Sequence, residues 1–172
     1  MRLVYASPMK IFIASSLLAL LPAAALAAGP AALGPNGGKF GDWTAATFGT
    51  GDGKICYTFT TAKSSTPVIA SPGKPMLTVT DRKGSPHEVS LTVRYNYPKD
   101  AKVSLAVGSK SFDFFTQDNV AFTTSGADAV AAFEAGNTTT ATGPGPHGHP
   151  VTDQFSLTGF SDAYKAITAA CQ

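Results

Sequence analysis

The feature that most constrains the fold is a series of short segments in which apolar and polar side chains alternate. Residues 89–95 and 103–107 show this most clearly, with apolar side chains at Val89, Leu91, Val93, Tyr95, Val103, Leu105 and Val107. Alternation with period two is typical of strands that bury one face, and Gly, Pro and Asn between the segments mark turns. The pattern predicts a mainly β, antiparallel sandwich or barrel-like single domain. The exposed threonine run at residues 138–142 is predicted to be an edge strand.

Two short helices are predicted to accompany the strands. The first covers residues 127–135, because Ser125 and Asp128 resemble a capping box and Gly136 is a helix stop. The second lies near the C-terminus and begins at a Ser161 cap. Its apolar residues fall on one stripe, which consists of Ala163, Tyr164, Ile167 and Cys171.

The first 27 residues have the composition of a secretory signal peptide. Arg2 and Lys10 give a basic start, residues 11–21 are apolar, and small residues precede a cleavage site after Ala27. The apolar run is shorter than the roughly 20 residues that a bilayer span needs. We therefore expect export to the periplasm and no transmembrane anchor after cleavage. A buried N-terminal helix is the alternative.

The remaining chain is predicted to divide into a leader and one domain. Residues 28–38 are rich in Pro and Gly and are predicted to be a flexible leader. Residues 39–172 are long enough for one β domain with its own core, but too short for two. Translation could start at Met1 or at Met9, and both starts keep the apolar run of the signal peptide.

The charge of the chain excludes nucleic acid as a partner. The formal net charge is +2, and it falls to zero when residues 1–27 are removed, because they contain Arg2 and Lys10 and no acidic residue. Only 14% of the residues are charged. Nucleic-acid binding rests on clustered Lys and Arg, which a neutral chain of this composition does not offer.

Cys56 and Cys171 are the two cysteines of the chain, and in an exported protein they are predicted to form one disulfide. Two buried free thiols are the alternative. A regular strand over residues 55–59 turns Cys56 away from its large neighbours Ile55, Tyr57 and Phe59, which are expected to enter the core. The C-terminal helix is then expected to lie against the sheet, fastened by the bridge.

The sequence contains no recognisable catalytic motif, and neither an enzymatic activity nor a cofactor is predicted. Gly-x-Ser-x-Gly and His-Glu-x-x-His are absent, and no histidine has a triad context. The Gly-rich segment 49–54 runs directly into a strand, so it is predicted to be a hairpin turn rather than a phosphate loop. A hydrolase is kept only as a remote alternative.

Three residues are candidates for binding. His147 and His149 stand two apart in a Pro/Gly loop and could share a metal if Asp153 or Glu134 added a ligand; an exposed turn is the alternative. Phe115 interrupts the alternation after Phe112 and Phe114 and is a candidate for surface contact. Trp43, in contrast, is predicted to fill the core.

Several of these segments carry a resemblance to a known family. The block Phe40-Gly-Asp-Trp43, a cysteine in a strand after a Gly-rich turn, and the block Asp153-Gln-Phe-Ser-Leu-Thr-Gly-Phe160 followed by a helix and Cys171 resemble the invasion-associated locus B family of bacterial exported proteins. The resemblance covers residues 39–172. It implies a periplasmic or envelope β-sandwich, linked in some pathogens to entry into host cells, and it implies no catalytic residues.

Two hypotheses for function follow. The first is a non-enzymatic envelope protein that binds an envelope or host protein through its sheet edges and loops. The second is a small-ligand or metal-binding periplasmic module that uses the loop at His147 and His149.

Overall fold

The structure is a computed structural model that describes residues 29–70 and 73–171. Within these residues, twelve strands form one antiparallel sheet, accompanied by three helices and a 3-10 turn at Gly51–Gly53. In chain order the elements are β1 (Ala31–Ala32), α1 (Pro35–Gly38), β2 (Lys39–Phe40), β3 (Trp43–Phe48), β4 (Ile55–Thr61), β5 (Ser64–Thr66), β6 (Met76–Arg82), β7 (Ser85–Thr92), β8 (Lys102–Val107), β9 (Lys110–Gln117), β10 (Val120–Phe122), α2 (Gly126–Ala135), β11 (Thr138–Pro144), β12 (Pro150–Ser156) and α3 (Phe160–Cys171).

The strands are hydrogen-bonded in the order β1-β3-β4-β6-β7-β10-β9-β8-β11-β12-β5, and β2 pairs with β3 at one end. The sheet is open, since β1 and β5 do not pair with each other in this part of the chain. Alternate residues of the strands form the core, as the period-two pattern predicted. Among them are Leu77, Val79, Val89, Leu91, Val103, Leu105, Phe112, Phe114 and Phe155. The predicted β-sandwich-like antiparallel fold is confirmed.

The two longer helices cover the core face of the sheet. α3 packs on β3 and β4, while α2 packs on β7 and touches α3. Phe160, at the start of α3, is fully buried between Trp43 and Phe133, with ring centroids 4.8 and 5.3 Å away in edge-on arrangements. These aromatic contacts join the helices to the sheet and fill the centre of the core.

Cys56 and Cys171 form a disulfide that fastens α3 to β4. The helix lies against the sheet, as expected. The prediction of which side chains of β4 enter the core is wrong. Cys56 is fully buried under α3, whereas Ile55, Tyr57 and Phe59 are only partly buried on the opposite face. The reason is that α3 covers the Cys56 face so closely that small side chains fit there. Alternation alone does not say which face a helix will cover.

Part of the segment expected to be a flexible leader is built into the sheet. Ala31 and Ala32 pair with β3, and the Leu33 amide donates a hydrogen bond to the Ala45 carbonyl at 2.9 Å. The Leu33 side chain also packs against the core. A segment rich in Pro and Gly can therefore still dock where an edge strand offers free carbonyls. The predicted signal peptide, residues 1–27, lies outside the described residues.

Three local predictions differ from the structure. Ser125 precedes α2 but makes no capping hydrogen bond through its side chain, so the capping box is not formed. Ser161 is the second residue of α3 rather than its cap. The threonine run at residues 138–142 is not an edge strand, because β11 pairs with β8 on one side and β12 on the other. These outcomes depend on tertiary neighbours that a local pattern does not contain.

The two sequence blocks quoted for the family resemblance meet in space. The Trp43 Nε1–H donates a hydrogen bond to the Ser156 carbonyl at 3.0 Å. Gly159 has φ +87°, and a Cβ atom placed there would lie 2.0 Å from the Phe40 carbonyl oxygen. Only glycine allows the two backbones to approach so closely. The two blocks therefore pack directly against each other in the folded domain.

Candidate functional site

A well-formed concave feature of the described residues lies at the β5 end of the sheet. It is a pocket of about 450 Å³, enclosed by β5, the segments flanking it, the segment after β7, and β12. Its apolar lining consists of Ala62, Val68, Ile69, Pro75, Tyr95 and Val151. Its polar and charged lining consists of Lys63, Ser64, Ser65, Lys74, Arg94 and Asp153, together with the backbone of Gly73.

The short length of β5 creates this pocket. β5 pairs with β12 over three residues, with Ser65 directly opposite Asp153, and the chain then leaves the sheet at Pro67. The return toward β6 is held by the Ala62 amide, which donates to the Pro75 carbonyl at 2.9 Å. The chain on both sides of β5 therefore stands away from the sheet, and the pocket opens between them.

Asp153 is the buried acidic group of the pocket. It is only 3% exposed, and the Ser65 hydroxyl donates a hydrogen bond to its Oδ1 at 2.5 Å. Burial raises the pKa of Asp153 above its ordinary value of 3.8, and the Ser65 hydrogen bond only partly opposes this. Burial, with a smaller contribution from the Asp153 charge, raises the pKa of Tyr95 to about 12. Burial therefore favours the neutral form of both groups.

Cationic side chains supply the remaining charge of the lining. Lys63, Lys74 and Arg94 line the pocket. Lys63 also reaches the Asp42 carboxylate, with the Nζ to Oδ1 distance at 2.5 Å, and this hydrogen bond is the main reason why the pKa of Asp42 is lowered. The Arg94 guanidinium lies so close to Gly73 that a Cβ atom there would be 2.7 Å from it. The pocket thus combines apolar walls, three cationic side chains and one buried carboxyl group.

His147 and His149 lie in the exposed turn between β11 and β12, which is the alternative that the sequence left open. The Gly145 amide donates to the His149 carbonyl at 2.7 Å, and the Gly148 amide donates to the Gly145 carbonyl at 3.0 Å. Asp153 is buried in the sheet, so it does not extend the histidine pair. In residues 29–70 and 73–171, no three His, Cys, Asp or Glu residues are grouped so that they could hold a metal ion.

Phe115 is exposed, as expected of a contact residue, but it does not interrupt the strand. It is 45% exposed on the outer face of β9 and stacks on Phe122 with ring centroids 5.8 Å apart. Phe112 and Phe114 point to the core, so the alternation continues through all three residues. Trp43 is fully buried, and its predicted role in the core is confirmed.

A second polar cluster, which the sequence analysis did not find, holds α3 on the sheet. Asp81 is 5% exposed and accepts hydrogen bonds from the His87 amide at 2.8 Å and the Thr168 hydroxyl at 3.1 Å. His87 Nδ1 and the Tyr164 hydroxyl lie 2.5 Å apart. The cluster joins β6, β7 and α3, and all its members are engaged with one another. Its geometry explains docking of the helix rather than ligand binding.

Asp153 is the one pocket residue that the sequence pointed to as a possible ligand-binding group. It was grouped there with His147 and His149, which do not lie in the pocket. Arg94 and Lys74 gave no local signal, because they lie on segments that the chain brings together only through the sheet order. A lone lysine or arginine after a strand reads as an ordinary surface residue. The groups present can bind and orient a ligand, since the lining residues that the structure describes include cations, hydroxyls and a carboxyl group but no cysteine or histidine.

Two general properties bear on where the protein works. Over the described part of the chain, no helix has the length and apolar character needed to cross a membrane. The disulfide fits an extracytoplasmic protein, because disulfides form and persist in oxidising compartments.

Comparison with known proteins agrees with the fold. Three solved chains match significantly. One of them, described as the crystal structure of invasion associated protein b from Bartonella henselae, has a TM-score of 0.57 and 19% sequence identity, and the match covers 77% of this chain and 95% of that one. Comparison with curated proteins gave no match. The sequence profile of the "Invasion associated locus B (IalB) protein" family matches residues 43–168. The chain therefore belongs to the invasion associated locus B family.

Proposed function

We propose that the protein is exported to the periplasm after removal of residues 1–27 and acts there as a non-enzymatic binding protein of the cell envelope, with the pocket at the β5 end as its recognition site. The pocket is the observation that carries this proposal. Its volume of about 450 Å³ falls in the range of about 300–1,000 Å³ that is typical of small-ligand sites. Apolar walls with a few convergent polar groups are also typical of such sites.

Export is supported by two independent features. The N-terminal sequence has the basic start, apolar run and small residues of a signal peptide. The Cys56–Cys171 bridge requires an oxidising compartment to persist. Association with host-cell entry, which the family name carries, further requires that the mature protein or its ligand reaches the cell surface.

Binding is favoured over catalysis by the character of the polar groups. Asp153 is buried beside apolar walls and accepts the hydrogen bond of the Ser65 hydroxyl, and the described lining residues add no histidine or cysteine to this pair as a further nucleophile or orienting group. Lys63 lines the pocket while its amino group is paired with the Asp42 carboxylate. The arrangement supplies shape and charge, which are what a binding site needs.

The test is to isolate the protein from the periplasm together with the molecules bound to it. The wild type is compared with a variant whose pocket is blocked. Ser64→Trp places a large ring at the exposed pocket rim, and Ser111→Trp, at an exposed position of β9, is the matched control. Each protein is purified from periplasmic extract, its N-terminus is read by mass spectrometry, and co-purifying molecules are identified. We expect a start at Ala28 and a bound species shared by the wild type and Ser111→Trp but missing from Ser64→Trp.

Two results would contradict the proposal. Recovery of the protein from the cytoplasm with residues 1–27 attached would remove the export step. Identical co-purifying species in the wild type and in Ser64→Trp would show that the pocket is not the recognition site.

A second binding surface is favoured by the aromatic pair of the exposed Phe115 and the half-buried Phe122. Stacked aromatic rings on an open sheet face are a common anchor for protein partners. In-cell cross-linking of the wild type and of Phe115→Ser separates this surface from the pocket. An envelope or host protein lost only with Phe115→Ser binds the sheet face, whereas one lost only with Ser64→Trp binds at the pocket.

A further inference from the structure

We infer that the pocket at the β5 end binds a small organic anion with an apolar body, and specifically an aliphatic monocarboxylate. This inference rests on the proposed function, since it names the ligand class of the same pocket. It is carried by the juxtaposition of three cationic side chains, Lys63, Lys74 and Arg94, with the apolar residues that line the same pocket.

The charges of the lining favour an anionic head group. The described lining contains three cationic side chains, and when Asp42, the partner of Lys63, is counted with Asp153, they outnumber the two carboxyl groups by one positive charge. Asp153 is 3% exposed and already accepts a hydrogen bond from Ser65, which places it at the floor rather than at the mouth. Lysine and arginine donate to carboxylates through short, charge-assisted hydrogen bonds. A cationic ligand would instead have to approach three like charges.

The walls favour an apolar body. Val68, Ile69, Tyr95 and Val151 contribute aliphatic and aromatic surface, and Val68 is 86% exposed. An aliphatic chain in the pocket would cover this surface and withdraw it from water. Each methylene that is buried in this way strengthens binding by about fourfold. A short inorganic anion would leave the walls uncovered and is therefore a poorer fit.

The remaining titratable groups at the pocket are consistent with this ligand. Burial raises the pKa of Tyr95 to about 12, so its hydroxyl stays neutral and can donate a hydrogen bond. Burial also raises the pKa of Asp153, which weakens its opposition to a bound anion in comparison with an exposed carboxylate. The site therefore offers donors and cations around the head group and a neutral surface around the chain.

The experiment compares three ligands that share one chain length and differ in head group. Octanoate, octanol and octylammonium are titrated calorimetrically into the oxidised protein that begins at Ala28. We expect octanoate to bind at least about tenfold more tightly than the other two, because only its head group pairs with cations. Hexanoate, two methylenes shorter, is expected to bind about fifteenfold more weakly than octanoate.

Charge variants test which groups recognise the head. Lys74→Gln is expected to weaken octanoate binding about fivefold, as the loss of one partly exposed ion pair does, and to leave octanol binding unchanged. Lys165→Gln is the matched control, because Lys165 is an exposed lysine of α3 that does not line the pocket. Melting temperatures of both variants are measured alongside to verify that each is folded.

The outcomes separate the ligand class from the pocket itself. Octanol or octylammonium binding as tightly as octanoate, and lost in Ser64→Trp, would overturn the anion inference while leaving a binding pocket. Binding of none of the three ligands would also overturn it. In that case, a species that is captured from the periplasm by the wild type but not by Ser64→Trp would still support the proposed function. The absence of such a species would refute both the ligand class and the proposed function.

Discussion

Removal of the disulfide tests how the helix and the sheet are held together. The bridge joins residues 115 positions apart, and breaking it frees a loop that contains every strand from β5 to β12. For a loop of this length, the chain-entropy relation gives about 5 kcal/mol of lost stability. For a domain of this size each kcal/mol corresponds to about 3–4 °C, so we expect the melting temperature to fall by roughly 15–20 °C.

Two forms of the protein separate the entropic contribution of the crosslink from the contribution of packing around the sulfur atoms. Cys56 is fully buried, so the double substitution Cys56→Ala, Cys171→Ala also deletes a buried sulfur atom and its contacts. The reduced wild type keeps both sulfur atoms and loses only the bond. We expect the two forms to differ from each other by about 1 kcal/mol and each to differ from the oxidised protein by several.

Urea unfolding followed by the fluorescence of Trp43 is the assay, because this is the one tryptophan of the chain and it is fully buried. The slope of unfolding free energy against urea should rise on reduction, since an unfolded chain without the crosslink exposes more surface. A loss below about 2 kcal/mol, with an unchanged slope, would refute the loop-closure reasoning. It would mean that the unfolded state is already compact around these residues.

Three further perturbations test other parts of the structure. The raised pKa of Asp153 means that its ionised form is unfavourable in the folded protein. The resulting loss of folding stability is absent below the unfolded-state pKa of 3.8 and grows as the pH rises through the folded-state pKa. Asp153→Asn should therefore melt higher than the wild type near neutral pH and lose this advantage in acid, and a difference that is constant over a pH series of melting curves would contradict the burial argument. Phe160→Ala should cost about 3–5 kcal/mol in urea unfolding, as truncation of a fully buried aromatic does, and a cost no larger than that of the exposed control Lys165→Ala would contradict its central place in the core. The double substitution His147→Ala, His149→Ala should leave the melting temperature in zinc unchanged, because the turn offers two exposed histidines; a zinc-dependent rise in the wild type that the variant loses would favour the metal-binding alternative.

The sequence was sufficient for the strands and, with the exception of β4, for the buried faces discussed above, because these depend on local alternation. Val103, Leu105 and Val107 point to the core, and Gly49–Lys54 forms the hairpin turn between β3 and β4. Each of these features is decided by residues within one strand or one turn. The same is true of the second helix of the sequence analysis, whose apolar stripe is buried, including Ile167.

The remaining features depend on which segment covers which face, and local patterns do not contain this. The direction of Cys56 followed from where α3 docks, and the place of β11 inside the sheet followed from the strand order. The pocket brings together Ser65, Arg94 and Asp153, which belong to three separate parts of the chain. Their roles arise from burial and proximity in the folded state, so they are visible only once the topology is known.

The contact between the two blocks, Phe40–Trp43 and Asp153–Phe160, also bears on when the chain can fold. Trp43 is among the first residues of the sheet to be synthesised. Its ring nevertheless packs against Phe160, and its indole N–H donates to the Ser156 carbonyl. β3 and β4 must therefore wait, with apolar surface uncovered, until more than a hundred further residues have been added. Such distant closure makes folding slow and leaves incomplete chains exposed to proteases and in need of a holding chaperone. We therefore expect native structure to be acquired late, once α3 can cover β3 and β4, rather than strand by strand.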